Sequence, residues 1–172
     1  MAGTDGGERQ PDETRDEARE SSGTVPDAVR QYRRLPVLIA VALAPWNAVL
    51  TDGYLSLFFT FGIVNFDPAG VALITDYYFR FSAARPEYMN AWGLGVLLFA
   101  VGLASALAGL VWREDSRVTA AMFVFAGFGQ LLFALGFFGR PGPYLALPFG
   151  TVLLWGLVWR YYRTDLLSIF RY

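Results

Sequence analysis

The chain has 172 residues, of which 55% are hydrophobic and 17% aromatic, and its mean hydropathy is +0.37. That composition is typical of membrane proteins. The chain contains no Cys, His or Lys, and all 14 cationic side chains are Arg. Disulfides, thiolate nucleophiles, Cys-ligated zinc and lysine Schiff bases are therefore excluded. Because His, the commonest general base and metal ligand, is also missing, we expect no enzymatic activity, no cofactor and no bound metal.

The formal net charge of −1 combines an acidic and a basic part of the chain. Residues 1–29 carry eight acidic residues against three Arg, whereas residues 30–172 carry seven against eleven. The first part has almost no large apolar side chains, so we expect a disordered acidic cytoplasmic tail. Arg-only cations beside an acidic tail suggest a high-salt cytoplasm. Too few basic residues lie in the polar parts for nucleic-acid binding.

Four apolar segments are candidate membrane spans. A hydrocarbon core about 30 Å thick needs roughly 20 apolar residues as a helix. The predicted spans are residues 35–51, 91–112, 118–139 and 144–162. Asp115 or Ser116 is expected to cap the third span. The predicted fold class is therefore all-α, a four-helix transmembrane bundle within a membrane domain of residues 30–172.

Arginine placement predicts how the spans are oriented. Eight Arg lie on the side of both termini, and three lie on the other side. Because cytoplasmic loops are enriched in basic residues, we expect both termini in the cytoplasm and a multi-pass protein of the cell membrane. Trp92, Trp112 and Trp159 fall at span ends, where indole rings favour the headgroup region. The lipid bilayer is the main expected partner, beside other membrane subunits or further copies of the chain.

Residues 52–88 form a predicted outer cap between the first two spans. Asp52-Gly53 is typical of a turn and separates the cap from the first span. Residues 54–66 carry no charge, are too short to cross a membrane as a helix and partly alternate. An extended or re-entrant stretch is favoured there, and a helix continuing from the first span is the competing interpretation. Asp67-Pro68 then favours the start of a short amphipathic helix over residues 68–81.

Charges and aromatic side chains converge in this outer cap, which makes it the candidate ligand or partner site. The candidate residues are Asn65, Asp67, Asp76, Tyr77, Arg80 and Arg85. Asp76 and Arg80 are four apart and can pair on a helix. A structural role, in which caps and ion pairs close the outer end of the bundle, is the competing interpretation. A divalent ion held by Asp67, Asp76 and Glu87 is conceivable because carboxylates favour hard cations, but no compact loop pattern supports it.

Neutral polar and small residues inside the spans are the remaining candidates. Asn47 and Gln130 are the intramembrane polar residues that can hydrogen-bond across helices. Small residues recur four apart in the second span, where they let helices approach closely. These helix-packing residues are Gly102, Ser105, Ala106 and Gly109. They favour packing within the chain, with a homo-oligomer face as the alternative. Pro45 and Pro148 are expected to kink the first and fourth spans.

The segments FTFGIVNFDP (59–68), DYYFR (76–80), GLGVLLFAVGLASALAGLVWRED (93–115) and RVTAAMFVFAGFGQLLFALGF (117–137) carry a family resemblance. Together they resemble an uncharacterised family of small four-span integral membrane proteins of halophilic archaea, over roughly residues 35–162. Phe61 departs from that family's pattern, which has Trp before the Gly. The resemblance implies a membrane protein from a halophilic source. It implies no activity, so it supplies no catalytic residue.

The leading hypothesis is a non-enzymatic integral membrane protein that acts as an accessory or scaffold component of a membrane assembly. The alternative is a small oligomeric transporter or channel, whose water path would be lined by Asn47, Gln130 and the carboxylates of the outer cap. A third class, a lipid-modifying enzyme, would depend on Asp67, Asp76 and Arg80 as its outer acid, base or charge.

Overall fold

The computed structural model describes residues 24–80, 86–109, 115–138 and 140–163, with side chains from residue 34 onward. The chain divides into two units, Met1–Pro36 and Val37–Tyr172. Of the first unit, the described part belongs to helix α1, which begins at Thr24, inside the segment predicted as a tail. The rest of that predicted tail lies outside the described residues.

Two long antiparallel helices, α3 and α4, run through the second unit. The described helices of the chain are α1 (Thr24–Leu43), α2 (Ile74–Phe79), α3 (Glu87–Ala108), α4 (Ser116–Leu135) and α5 (Phe149–Tyr161). The Asp115 carboxylate accepts the backbone N–H groups of Arg117 (3.1 Å) and Val118 (3.4 Å), which confirms its predicted capping role. Helices α3 and α4 begin and end a few residues before the second and third predicted spans.

An antiparallel sheet of five strands forms the other part of the second unit, with the strand order β4-β3-β2-β1-β5. The strands are β1 (Asn47–Thr51), β2 (Tyr54–Phe58), β3 (Gly62–Phe66), β4 (Ala69–Leu73) and β5 (Tyr144–Leu147). Asp52 and Gly53 join β1 to β2 with φ of 49° and 88°. Both values are left-handed, as a two-residue hairpin turn requires, so the predicted turn is confirmed.

The predicted all-α four-helix bundle is therefore wrong, because the first and fourth predicted spans each contain a strand as well as a helix. Helix α1 ends at Leu43 because Pro45 disfavours helical geometry at the residue before it, Ala44. The fourth span begins as β5 and becomes helical only after Pro148. The two prolines expected to kink helices instead mark the change between helix and strand. There the Gly150 N–H donates to the Trp46 carbonyl at 2.6 Å.

The outer cap is also rearranged. The extended interpretation of residues 54–66 is confirmed, since they form β2 and β3, and the helical alternative is wrong. Asp67-Pro68 does not start a helix but forms the turn between β3 and β4, with a cis peptide bond. Val71 pairs with Val64 of β3, so this part of the predicted helix over 68–81 is strand. Only α2 remains of that predicted helix.

Two clusters of buried side chains lie toward opposite ends of α3 and α4. The helical core joins the end of α1, α3, α4 and α5 through Leu38, Val41, Trp46, Phe99, Ala106, Ala120, Phe123, Ala126, Leu154, Leu157, Val158 and Tyr162. The sheet core joins α3 and α4 to the strands through Val49, Phe58, Ile63, Trp92, Phe133, Ala134, Phe137 and Ala146. Trp92, expected at the headgroup level, is fully buried and hydrogen-bonds the Phe59 carbonyl at 3.2 Å.

Candidate functional site: a buried polar node beneath an apolar sheet face

The two intramembrane polar candidates meet where the sheet joins the helices. The Asn47 Nδ2 donates to Gln130 Oε1 at 2.6 Å, and Gln130 Nε2 donates to the Trp92 carbonyl at 3.5 Å. This polar node (Asn47, Gln130 and the Trp92 carbonyl) ties β1 to α4 and α3. Both amide side chains are fully buried, and Asn47 Oδ1 has no hydrogen-bond partner among the described residues. A buried unsatisfied acceptor costs about 1–3 kcal/mol, so Asn47 Oδ1 lowers the stability that the node contributes.

Three glycines close around this node. A Cβ on Gly95 would overlap Gln130 Nε2, and one on Gly150 would stand 2.9 Å from the Trp46 Cβ and 3.1 Å from the Gln130 Cγ. A Cβ on Gly129 would stand 2.9 Å from the Ala91 carbonyl. Sequence reasoning missed these glycines as part of the site. The available signal was the pair Gly129-Gln130, a small residue beside a polar one in an apolar helix.

The carbonyls at the end of α1 receive side-chain donors. Trp46 Nε1 donates to the Val41 carbonyl at 2.8 Å, and Thr60 Oγ1 donates to the Ala42 carbonyl at 2.7 Å. The last carbonyls of a helix have no partner within the helix, so these bonds let α1 stop inside an apolar environment. They also fix the start of β1 and the β2–β3 connection beside the helix end.

The two faces of the sheet differ in polarity. Residues paired across antiparallel strands lie on the same face. The inner face, toward α3 and α4, is mixed: it carries the apolar sheet-core residues Val49, Phe58, Ile63 and Ala146 beside the polar side chains Asn47, Thr51, Ser56 and Asn65. The outer face, named the apolar face here, carries beside Gly62 the residues Ala48, Leu50, Leu55, Leu57, Val64, Phe66, Ala69, Val71, Leu73, Leu145 and Leu147. Many of these side chains are exposed, with Val71 at 66% and Phe66 at 56%.

The polar turns gather at one end of the sheet, named the polar end. Asp52-Gly53 follows Thr51, whose strand neighbours are Tyr54 and Tyr144. Asp67-Pro68 joins β3 to β4 at the same end, because these strands also run antiparallel. Arg140 precedes β5 there, and its guanidinium lies 4.3 Å from the centre of the Tyr88 ring. The opposite end of the sheet meets the polar node and Trp92.

The structure brings together only part of the predicted cap site. Asn65 pairs with Ser56 in the sheet, and Tyr77 makes an edge contact with Trp92 at 6.1 Å between ring centroids. Asp76 and Arg80 form the predicted pair at 3.7 Å. Asp67 lies at the polar end, separated from Asp76 by the whole of β4, about 16 Å at 3.3 Å per residue.

Arg85 lies outside the described residues. Within the described ranges, no three His, Cys, Asp or Glu side chains lie close enough together to hold a metal ion. The predicted outer cap is thus two separate places, the polar end of the sheet and helix α2.

Helix α2 leans on α3 and leaves a groove beside it. The Tyr78 hydroxyl donates to the Met89 carbonyl at 2.7 Å, and its ring lies where a Cβ on Gly93 would overlap it. The absence of a side chain at Gly93 therefore sets how closely α2 approaches α3. The groove measures about 570 Å³ and is lined mainly by Ile74, Thr75, Tyr78, Phe79, Leu94 and Leu97.

The predicted helix-packing residues face α4 of the same chain. A Cβ on Gly102 would stand 2.7 Å from the Phe123 ring, and the Ser105 and Thr119 hydroxyls are 2.8 Å apart. Ala106 is buried in the helical core, and Gly109 ends α3 with its N–H donating to the Ser105 carbonyl at 3.1 Å. These contacts account for the small residues by packing within the chain.

A family model described as "Domain of unknown function (DUF8050)" matches residues 14–171. The chain belongs to this family. The match spans the helices and the sheet alike, so both are parts of one family domain. No curated protein and no solved structure matches the chain. The family description carries no activity, so the function has to be argued from the geometry.

Proposed function

We propose that the protein is an integral membrane protein that serves as a non-enzymatic accessory or scaffold component of a membrane assembly. The apolar face of the sheet is the observation that carries this proposal. In antiparallel sheets with one face in water, that face is polar and the covered face apolar. Here the outer face is apolar as well, although the inner face already packs the sheet core against α3 and α4. Contiguous apolar surface of this kind marks contact with lipid or with another protein.

The exposure of the long helices supports a membrane location. Two described helices, α3 and α4, are long and apolar enough to cross a membrane. The core helix of a soluble protein passes the same test but is mostly covered. In the most apolar 18 residues of each helix, only 28% of α3 and 50% of α4 is buried. Large side chains such as Leu97 and Leu132 would stand in water if no bilayer surrounded them.

The element lengths are compatible with a sheet at the outer surface of the bilayer. From Gln130, beside the lower end of the sheet, to Ser116, α4 extends about 21 Å at 1.5 Å per residue. A hydrocarbon core about 30 Å thick then reaches roughly halfway up strands that are about 16 Å long. The polar end, with Asp52 and Asp67, would lie among the headgroups. Water there can reach the free backbone groups in the upper half of the edge strands β4 and β5, and a neighbouring subunit would have to cover those in the lower half, which hydrocarbon would leave unpaired.

The proposed topology has four crossings, two of them mixed. Helices α3 and α4 cross completely. The segments α1–β1 and β5–α5 each pass from the helical core to the sheet core, partly as helix and partly as strand. Arg117 lies in the first turn of α4, at the end away from the sheet, and Arg113 comes shortly before it in the sequence. The excess of Arg on that side supports the proposal that this side, with both termini, is cytoplasmic.

Composition supports the remaining parts of the proposal. A chain without Cys, His or Lys lacks the side chains that most often act as nucleophile or base. The acidic residues of segment 1–29 suit a salt-rich cytoplasm such as that of halophilic archaea. The apolar face and the exposed sides of α3 and α4 would make the contacts with other subunits or with a second copy.

The alternative, a small oligomeric transporter or channel, would need a water path past Asn47 and Gln130. The packing favours the accessory role because Gly95 and Gly150 bring backbone directly against the Gln130 side chain. Gln130→Leu should abolish flux in liposomes if the alternative is correct, and unchanged flux would discard that path.

The cysteine-free chain makes the membrane location directly testable by single-cysteine labelling. Asp52→Cys at the polar end should react with a membrane-impermeant maleimide on intact cells. Ser116→Cys should react only after permeabilisation, and Leu132→Cys only after denaturation, because it faces lipid. The protein should stay in the membrane pellet after alkaline carbonate extraction. Labelling of all three sites without permeabilisation, or release by carbonate, would contradict the membrane location.

The accessory role needs a second measurement on the same protein. Purification in mild detergent from native membranes, followed by mass spectrometry, should recover a stoichiometric partner. A lone oligomer without a partner would contradict the accessory role and favour the transporter.

A further inference from the structure

We propose that the groove between α2 and α3 binds one hydrocarbon tail of an anionic phospholipid, with the lipid phosphate at Arg80. The inference rests on the membrane location proposed above and adds a specific ligand site to it. It is carried by the groove itself, by the side chains left bare along it, and by the arginine that follows them.

The groove is suited to a lipid tail. Its α3 wall is made by Gly93, Leu94 and Leu97, which follow one another along the helix over about 6 Å. In the proposed topology α3 itself runs in the direction of the lipid tails, so a tail lying against this wall would follow the helix. The lining of the groove is almost wholly apolar, and the Tyr78 hydroxyl already donates to the Met89 carbonyl. Hydrocarbon needs no hydrogen bonds, so this lining suits it.

The side chains along the groove are left uncovered by the protein. Phe79 is 85% exposed, the highest value for a large apolar side chain in the described part of the chain. Leu94 and Leu97 are 55% and 60% exposed on the opposite wall. A chain lying between the two walls would contact all three. Burying this surface is favourable in proportion to its area.

Arg80 supplies the complementary charge beside Phe79. Its described acidic contact is Asp76 at 3.7 Å, and both side chains are largely exposed. Such surface pairs contribute little, so the guanidinium is available to a stronger acceptor. Its planar set of N–H donors matches phosphate oxygens. An anionic headgroup is favoured over a zwitterionic one, because the latter brings its own cation toward Arg80.

The experiment measures which lipids stay bound. The full chain is reconstituted in bilayers of equal parts phosphatidylglycerol and phosphatidylcholine, re-extracted in mild detergent, and its retained lipid is quantified by mass spectrometry. We expect one phospholipid per chain, with phosphatidylglycerol preferred about fivefold, the factor for one arginine near an anionic headgroup. Arg80→Gln should keep the lipid and lose the preference, whereas Arg163→Gln at the other end should keep both.

Filling the groove provides the second arm. Leu97→Trp should lower the retained lipid to background, and the matched Leu132→Trp on α4 should retain it. Leu94→Trp repeats the test if Leu97→Trp does not fold. Equal retention in groove and control variants, or no preference in the unmodified chain, would overturn the proposal. Recovery of a free fatty acid or of a protein partner in place of phospholipid would also overturn it.

The outcomes separate this inference from the proposed membrane location. A chain that survives carbonate extraction while Leu97→Trp and Leu132→Trp retain equal lipid refutes the groove alone. A chain released by carbonate refutes the membrane location.

Discussion

The helical core and the sheet core lie toward opposite ends of α3 and α4, yet they are built differently. In the helical core, the end of α1 (from Val37) and α5 pack beside the two long helices. In the sheet core, the continuations of the same two segments are β1 and β5, which pair with each other. The comparison teaches that an apolar run of sequence specifies that a segment is buried. Whether the segment is helix or strand depends on the elements that it packs against or pairs with. Both segments change at a proline, Pro45 or Pro148.

The polar contacts also concentrate where these two segments change between helix and strand. Asn47 bonds Gln130, and the Gly150 N–H bonds the Trp46 carbonyl. Where a helix stops, its last carbonyls lose their partners, so a buried change to strand needs substitute donors. Trp46 and Thr60 supply these donors. The polar node is thus explained as part of the joint between the two cores.

Trp92→Ala should have the largest effect, because Trp92 joins the sheet core to α3. The side chain is fully buried and makes edge contact with Phe58 at 5.5 Å. Truncating a buried large aromatic residue costs about 3–5 kcal/mol. Trp159→Ala, at an exposed site on α5, is the control and should change the free energy of unfolding little. Denaturation in detergent micelles measures both, and equal losses would mean that Trp92 does not hold the two parts together.

Arginine scanning of the apolar face tests whether lipid covers it. Leu147 pairs with Ala48 near the polar node, and Leu145 pairs with Leu50 near the polar end. In lipid, Leu147→Arg should cost about 1–3 kcal/mol and Leu145→Arg about 0–1 kcal/mol, because Leu147 lies between the midplane and the interface and the penalty falls toward the interface. Reversible unfolding in bicelles measures the difference. Equal costs at the two depths would indicate that the face contacts protein or water.

A double-mutant cycle at the polar node should give an effect of similar size. Gln130→Leu leaves the buried Asn47 amide without its partner and should cost about 1–3 kcal/mol. Adding Asn47→Leu removes the stranded group, so the double variant should recover part of that loss. The coupling energy is read from unfolding of the two single variants and the double variant. Additive costs would show that the 2.6 Å bond contributes nothing of its own.

Sequence reasoning predicted the helical part of the fold better than the sheet. The length of the charge-free runs predicted α3 and α4, and Asp115 was identifiable as the residue that caps the start of α4. The predictions failed for residues 44–51 and 144–147, because short apolar runs are compatible with either structure. Pairing of β1 with β5, almost a hundred residues apart, decides the outcome there. No local pattern encodes such a pairing.

The candidate site divides in the same way. Asn47 and Gln130 were identifiable as polar residues in apolar runs, but their mutual bond depends on where β1 meets α4. The charges of the outer cap were identifiable from composition. Their convergence was not, since it assumed a helix from Pro68 onward, and the strand that forms there carries Asp67 away from Asp76.

The smallest expected effects have opposite signs in the two regions. At Gly53, in the hairpin turn, and at Gly156, inside α5, an added Cβ meets nothing within 4 Å. Gly53 has φ of +88°, so Gly53→Ala should cost about 1–2 kcal/mol because a Cβ disfavours the left-handed region. Gly156→Ala should stabilise by up to about 1 kcal/mol, because alanine favours a helix over glycine. Thermal unfolding in detergent reads both changes. The same sign at both sites would mean that backbone conformation does not distinguish the turn from the helix.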